Sequence, residues 1–196
     1  MNSAALRHVE DEPVHESRWK VPDGETAARP RALGKGMLAG LVGGLVGTIV
    51  MNEFQKAWSK IAQAMQNDGH AQEQGQQESE NATMKAAGKI AHIGGRELSH
   101  EQKKKAGPLV HYSFGTLQGG MYGAMTELTR TPGGFLPGLL FGAALFGLAD
   151  EVAVPALGLS GKPRESPIST HLYAAAAHCV YGIATEIARR GLRAAI

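Results

Sequence analysis

The sequence is poor in the features that mark most enzymes and most secreted domains. It holds a single cysteine, Cys179, so neither a disulfide framework nor a cysteine metal site can be built from it. There is no Walker loop, no G-x-S-x-G elbow, no H-E-x-x-H, no dinucleotide fingerprint after a strand and no C-x-x-C-H haem motif. No catalytic constellation is therefore expected. Basic residues are scattered and aromatics make up only 6% of the chain, which leaves no aromatic-laced basic patch for nucleic acid. The first 35 residues mix acids, bases and prolines without an apolar run. They lack the core of a cleavable signal peptide and read as a solvated, disordered tail over residues 1–33.

Charge is missing in a patterned way. A mean hydropathy of −0.18 looks soluble, but four stretches carry no Asp, Glu, Lys or Arg: Gly36 to Asn52, Ala106 to Thr126, Thr131 to Ala149 and Ser166 to Thr185. Each is close to the ~20 residues that cross a hydrocarbon core as a helix. A soluble bundle of buried Gly/Ala-rich helices is the alternative, and four such windows in so short a chain are too regular for it. The expectation is an all-α protein with four transmembrane spans, at about 36–53, 107–128, 133–151 and 167–188, forming one domain over 34–193. An extramembrane insertion, 54–106, separates the first two spans. It reads as a helical continuation, a polar Gln/Glu loop, a second helix from about Ala82 to Leu98, and a capping box at Ser99 and Gln102.

The chain resembles itself. Gly36, Gly40, Gly44, Asn52 and Glu53 align at one constant offset with Gly134, Gly138, Gly142, Asp150 and Glu151. A second constant offset aligns Tyr122-Gly123, Thr126-Glu127 and Arg130 with Tyr181-Gly182, Thr185-Glu186 and Arg189, and brings His111 within one residue of His171. The reading is two parallel, pseudo-repeated helical hairpins. Glycines four apart, including Gly115, Gly119, Gly123 and Gly182, allow close helix packing in lipid.

Several of these segments, taken together, resemble a known group. Lys105 through His111 to Gly115, Asp150-Glu151 with Pro155 and Gly158-Leu159, and His171 through His178, Tyr181-Gly182 and Glu186 resemble the YagU-like family of bacterial inner-membrane proteins. The resemblance covers about residues 34–193. It implies helical spans in the inner membrane and carries no catalytic residue to transfer.

Polar residues at membrane depth are functional candidates by default. The expected topology gathers Glu53, Asp150, Glu151, His111 and His171 at the face that carries the insertion, and places His178 near mid-bilayer. Glu127 with Arg130 and Glu186 with Arg189 are expected as i,i+3 ion pairs at the opposite interface, with Tyr122 and Tyr181 in an aromatic belt. Three readings of the cluster stay open. It ties the hairpins together by hydrogen bonds, it loads protons or small ions, or it binds a divalent metal, although the Glu-x-x-His spacing of bundle metal sites is missing. His111 and His171 on facing helices also fit axial haem ligation. A chain through Asp150/Glu151, His171, His178 and Glu186 is a route for protons.

The leading expectation is a non-enzymatic inner-membrane protein handling protons or small ions under envelope or acid stress. The runner-up is a scaffold whose glycine faces bind another membrane protein or a second copy. A metal- or haem-binding membrane protein is third. Lys and Arg near the span ends lean towards cytoplasmic termini.

Overall fold

The computed structural model describes residues 23–66 and 80–196, with side chains over 32–64 and 80–196. The Gln/Glu loop and most of the expected tail lie outside the described residues. All regular structure among the described residues is helical. Helix α1 runs Asp23–Gln66, α2 Ala82–Ile93, α3 His100–Thr129 and α4 Phe135–Leu145. A π-helical segment, Phe146–Ala153, carries α4 into the short α5, Val154–Ala156, and α6 spans Ile168–Ala195.

The tail expectation is corrected at its C-terminal end, because residues 23–33 belong to α1. The helix continues through Pro30, Gly34 and Gly36 into the apolar run, so these breakers do not stop it. Gly94 and Gly95 end α2 at Ile93, short of the expected Leu98, with Gly95 at φ 73° where glycine alone is unstrained. The capping box is formed: Ser99 Oγ accepts from the Gln102 amide, and Gln102 Oε1 accepts from the Ser99 amide at 2.9 Å.

Backbones approach along three seams. In the first, a methyl group added at Gly40 would sit 2.9 Å from Gly123 Cα, and one at Gly44 2.9 Å from Gly119 Cα. Gly36 faces Gly123 and Glu127, and Gly115 faces Thr48, so α1 and α3 run antiparallel. In the second, Gly138 lies against Gly182 and Gly142 against His178 and Cys179, pairing α4 with α6 in the same sense. The third seam was not foreseen. Gly43 and Gly47 lie on another face of α1, where an added methyl would sit 2.7 Å from Thr185 O and 2.8 Å from Tyr181 O, so this close approach joins the two helix pairs. Tyr122 stacks on Phe141 with ring centroids 4.3 Å apart and links α3 to α4. Gly134 does not pack. It is the N-cap of α4 in extended backbone, and an added methyl there would have only Pro137 within 4 Å.

The bundle is inside-out. Thr48, Thr126, His178, Thr185, Glu186 and Arg189 are buried. Leu109, Phe114, Leu117, Met121, Met125 and Leu128 make an exposed stripe on α3, with Leu38, Val42, Leu45 and Ile49 on α1 and Leu136, Leu140 and Leu148 along α4 and the π segment. Among the described residues two helical rods, Ala32–Ala64 and Phe135–Ala156, are long and apolar enough to cross a membrane. The α3 and α6 helices fall short because histidine, tyrosine, threonine and glycine lower the hydropathy of their uncharged stretches.

Outside the bundle core, α2 is pinned at its start. Lys103 Nζ donates to Glu80 at 2.9 Å, and His100 lies 3.6 Å from the same carboxylate. The Lys103 ammonium holds the Glu80 carboxyl below its ordinary value of 4.5. Because the folded value is the depressed one, the pin contributes fully above that ordinary value and is lost as pH falls through the folded one. Lys103→Ala is expected to speed hydrogen exchange across residues 80–93 severalfold at neutral pH. Acidification below the ordinary carboxylate range should reproduce this in the parent protein but add nothing in the variant.

Candidate functional site

The site is built around the π segment. One turn wound as i→i+5 swings consecutive residues through a smaller angle than an α turn, so Asp150 and Glu151 both face α6. Asp150 Oδ2 lies 3.6 Å from His178 Nδ1, which also donates to Ala174 O at 2.9 Å. Glu151 Oε1 lies 2.6 Å from His171 Nδ1, and His171 Nε2 donates to Pro163 O at 2.9 Å. On the regular helix α1 neighbouring residues cannot share a face. Asn52 therefore turns inward, with Oδ1 3.2 Å from His111 Nε2 and Nδ2 donating to the Tyr112 hydroxyl at 2.9 Å. Glu53 turns outward to Lys56 at 2.7 Å and leaves the expected cluster.

The grouping also differs from the expected one. His111 shares a cavity with Asp150 and His178, whereas His171 sits in a neighbouring pocket with Glu151. The α4–α6 register sets this, since Gly142 rests on the His178 carbonyl and Gly138 on Gly182. His178 is thereby level with the loop-end acids instead of isolated at mid-span. Both ring nitrogens of His171 are engaged, so the His111/His171 pair does not offer two axial ligands for haem. Among the described residues no three His, Cys, Asp or Glu side chains converge as a metal site.

At the other end of α6 lies a buried ion pair. Glu186 and Arg189 are 2% and 6% exposed. Arg189 donates to the carboxylate through Nε at 2.8 Å and a terminal nitrogen at 3.0 Å, and the Gly134 amide donates to it at 3.4 Å. The guanidinium lies over the Tyr122 ring, 5.8 Å from its centroid. Arg130 does not pair with Glu127. It caps α3 in left-handed backbone, φ 50°, which turns its side chain off the helix face. Glu127 instead takes Arg193 of α6 at 2.6 Å.

Hydroxyls lie between the two ends. Tyr181 donates to Gly115 O at 2.6 Å, and Thr48 Oγ1 donates to Gly44 O at 2.8 Å. The hydroxyls of Tyr122 and Thr185 are buried without a well-formed hydrogen bond among the described residues, and they face the Glu186 carboxylate and the Tyr181 hydroxyl, respectively. Both tyrosines are core residues, 3% and 2% exposed, not members of an aromatic belt. Thr48 was not singled out in the sequence, and Thr185 entered only as part of the repeat. The signal was there, since 178, 181, 182, 185 and 189 fall on one helical face of α6.

A cavity of about 440 Å³ opens among α1, α3, the π segment and α6, with α2 lying over it. Met51, Phe114, Leu145, Ile90, Leu157 and Tyr173 are among its apolar walls, and Asp150, His111 and His178 supply its ionisable ones.

No family model, curated protein or solved structure matches this chain. The YagU-like resemblance rests on its motifs.

Proposed function

We propose that the chain is a four-span inner-membrane protein that moves protons, or a small ion in their place, along the buried face of α6. The inside-out burial supports the membrane reading. In water so continuous an exposed apolar surface would drive association, whereas in lipid it is the expected exterior and buried polar groups mark the functional interior. The YagU-like motifs point the same way, and both termini are read as cytoplasmic.

The observation that carries the proton reading is the run of polar groups on this face. Glu151–His171 and Asp150–His178 stand at one end, Tyr181 and Thr185 in the middle, and Tyr122 with Glu186–Arg189 at the other. Histidine exchanges protons near neutrality, and hydroxyls pass them on as both donor and acceptor. The glycine faces of α1, α3 and α4 are occupied within the chain. That supports a self-contained unit over a scaffold that lends those faces to a partner.

Purified protein in proteoliposomes holding an internal pH dye, under an imposed potential, is expected to acidify the lumen faster than empty vesicles. His178→Ala should lower the rate about tenfold or more, the scale on which losing a positioned proton-transfer group is felt. Arg130→Ala, outside the column, should leave it unchanged. Parent flux no greater than that of empty vesicles, or an unaffected His178→Ala, would overturn the reading.

A further inference from the structure

We propose that the cavity beneath α2 is a binding site for a small amphipathic amine, with its hydrocarbon body among the apolar walls and its ammonium group at Asp150. The inference goes beyond proton movement, although it involves the same Asp150–His178 pair, because it concerns binding at equilibrium. A volume of about 440 Å³ falls within the ~300–1,000 Å³ of small-molecule sites, which are mostly apolar with a few convergent polar groups.

The chemistry of those groups selects the head. Asp150 is the one formally charged residue lining the cavity, and an ionised carboxylate only accepts hydrogen bonds. His178 Nδ1 faces the Ala174 carbonyl at 2.9 Å, and a carbonyl cannot donate, so that nitrogen carries the proton. With the proton on that nitrogen, the other ring nitrogen, Nε2, is the one able to accept. His111 Nε2 faces the Asn52 carbonyl oxygen at 3.2 Å, with the amide nitrogen of Asn52 committed to Tyr112. By the same logic the neutral His111 ring keeps Nδ1 as an acceptor. Three acceptors and a negative charge around an apolar chamber fit a head with several donors and a positive charge. A carboxylate head would meet Asp150 as a like charge, and a hydroxyl would satisfy one acceptor at most.

The approach is suited to such a ligand. Ile90 and Leu157, on the rim of the cavity, are exposed, and α2 sits at the loop end of the bundle, where an amphipathic molecule partitions between lipid and water. A built-in reporter also exists, because Trp58 lies 5.8 Å from Tyr173, a wall of the cavity.

The test uses the full chain in neutral detergent with Trp19→Phe, leaving Trp58 as the single tryptophan. Biphenylmethylamine, biphenylmethanol and biphenylcarboxylate share one apolar body and differ in head. Titrated at neutral pH, the amine should quench Trp58 with an affinity about tenfold or more above the alcohol's, and the carboxylate should bind weakest. Asp150→Asn, checked for an unchanged melting profile, should bring the amine to the alcohol's affinity. No saturable quenching by any probe would overturn the inference. So would equal affinity for all three, as a lipid chain filling the cavity would give, or strongest binding of the carboxylate. Proteoliposome flux is read separately, so either proposal can fail while the other stands.

Discussion

Replacing Gly119 by alanine, a gain of one carbon, is expected to cost about 3 kcal/mol or more, at or beyond the upper end of overpacking penalties. The added methyl would sit 2.6 Å from Gly44 N, with Gly40 O and Gly44 Cα also inside contact distance. These are backbone atoms, so no side chain can rotate away and the helices must part. A gap of 0.5–1 Å forfeits roughly a quarter to a half of each dispersion contact, and it opens along the whole seam of Gly36, Gly40, Gly44, Gly115 and Gly123. In lipid no hydrophobic effect presses the helices back together.

The same substitution at Gly191 should have the opposite sign. That glycine lies within α6 with nothing inside 4 Å of an added methyl, and alanine there gains about 0.5–1 kcal/mol of helix propensity. Thermal unfolding in detergent, followed by circular dichroism, should move down by roughly 6–12 °C for Gly119→Ala and slightly up for Gly191→Ala. Two melting curves within a degree of the parent's would mean that the α1–α3 seam is not formed as described.

How much of this was legible in the sequence follows from which physical signals are local. Helix seams were legible where glycines recur every four residues, because that spacing places them on one face of a helix. Gly43 and Gly47 have the same spacing and were missed, since they stand beside the more conspicuous Gly36, Gly40 and Gly44. Pairing by depth was legible only in part. Assigning residues to membrane levels treats every helix as regular. A single π segment was enough to bring both Asp150 and Glu151 onto α6, while Glu53, on regular helix, left the cluster. Arg130 illustrates a third limit, because its pairing depends on whether the helix continues for one more residue. The cavity was not legible at all, since it exists only where α2 lies over four other segments.

The buried pair at the far end of α6 should produce the second large effect, and an asymmetric one. Arg189→Met removes the guanidinium from a carboxylate that is 2% exposed, leaving Glu186 with neutral neighbours, the Gly134 amide at 3.4 Å and the Tyr122 hydroxyl. Breaking a buried ion pair in this way costs about 3–5 kcal/mol, because an uncompensated charge stays behind. Glu186→Gln should cost less. Arg189 keeps the face of Tyr122 beneath it, and its long side chain can swing towards the helix end and water.

The double variant Glu186→Gln/Arg189→Met leaves no buried charge and should recover most of the loss, giving a coupling of about 3 kcal/mol or more in a double-mutant cycle. Its value lies in separating fold from function. If the column moves protons, the double variant melts near the parent and still fails to acidify vesicles, since glutamine cannot take up and release a proton. If the pair only ties α6 to the start of α4, flux survives wherever stability does. Simple additivity of the two single costs would sink the structural half of the argument, for it would mean that Glu186 and Arg189 do not share the buried contact assigned to them.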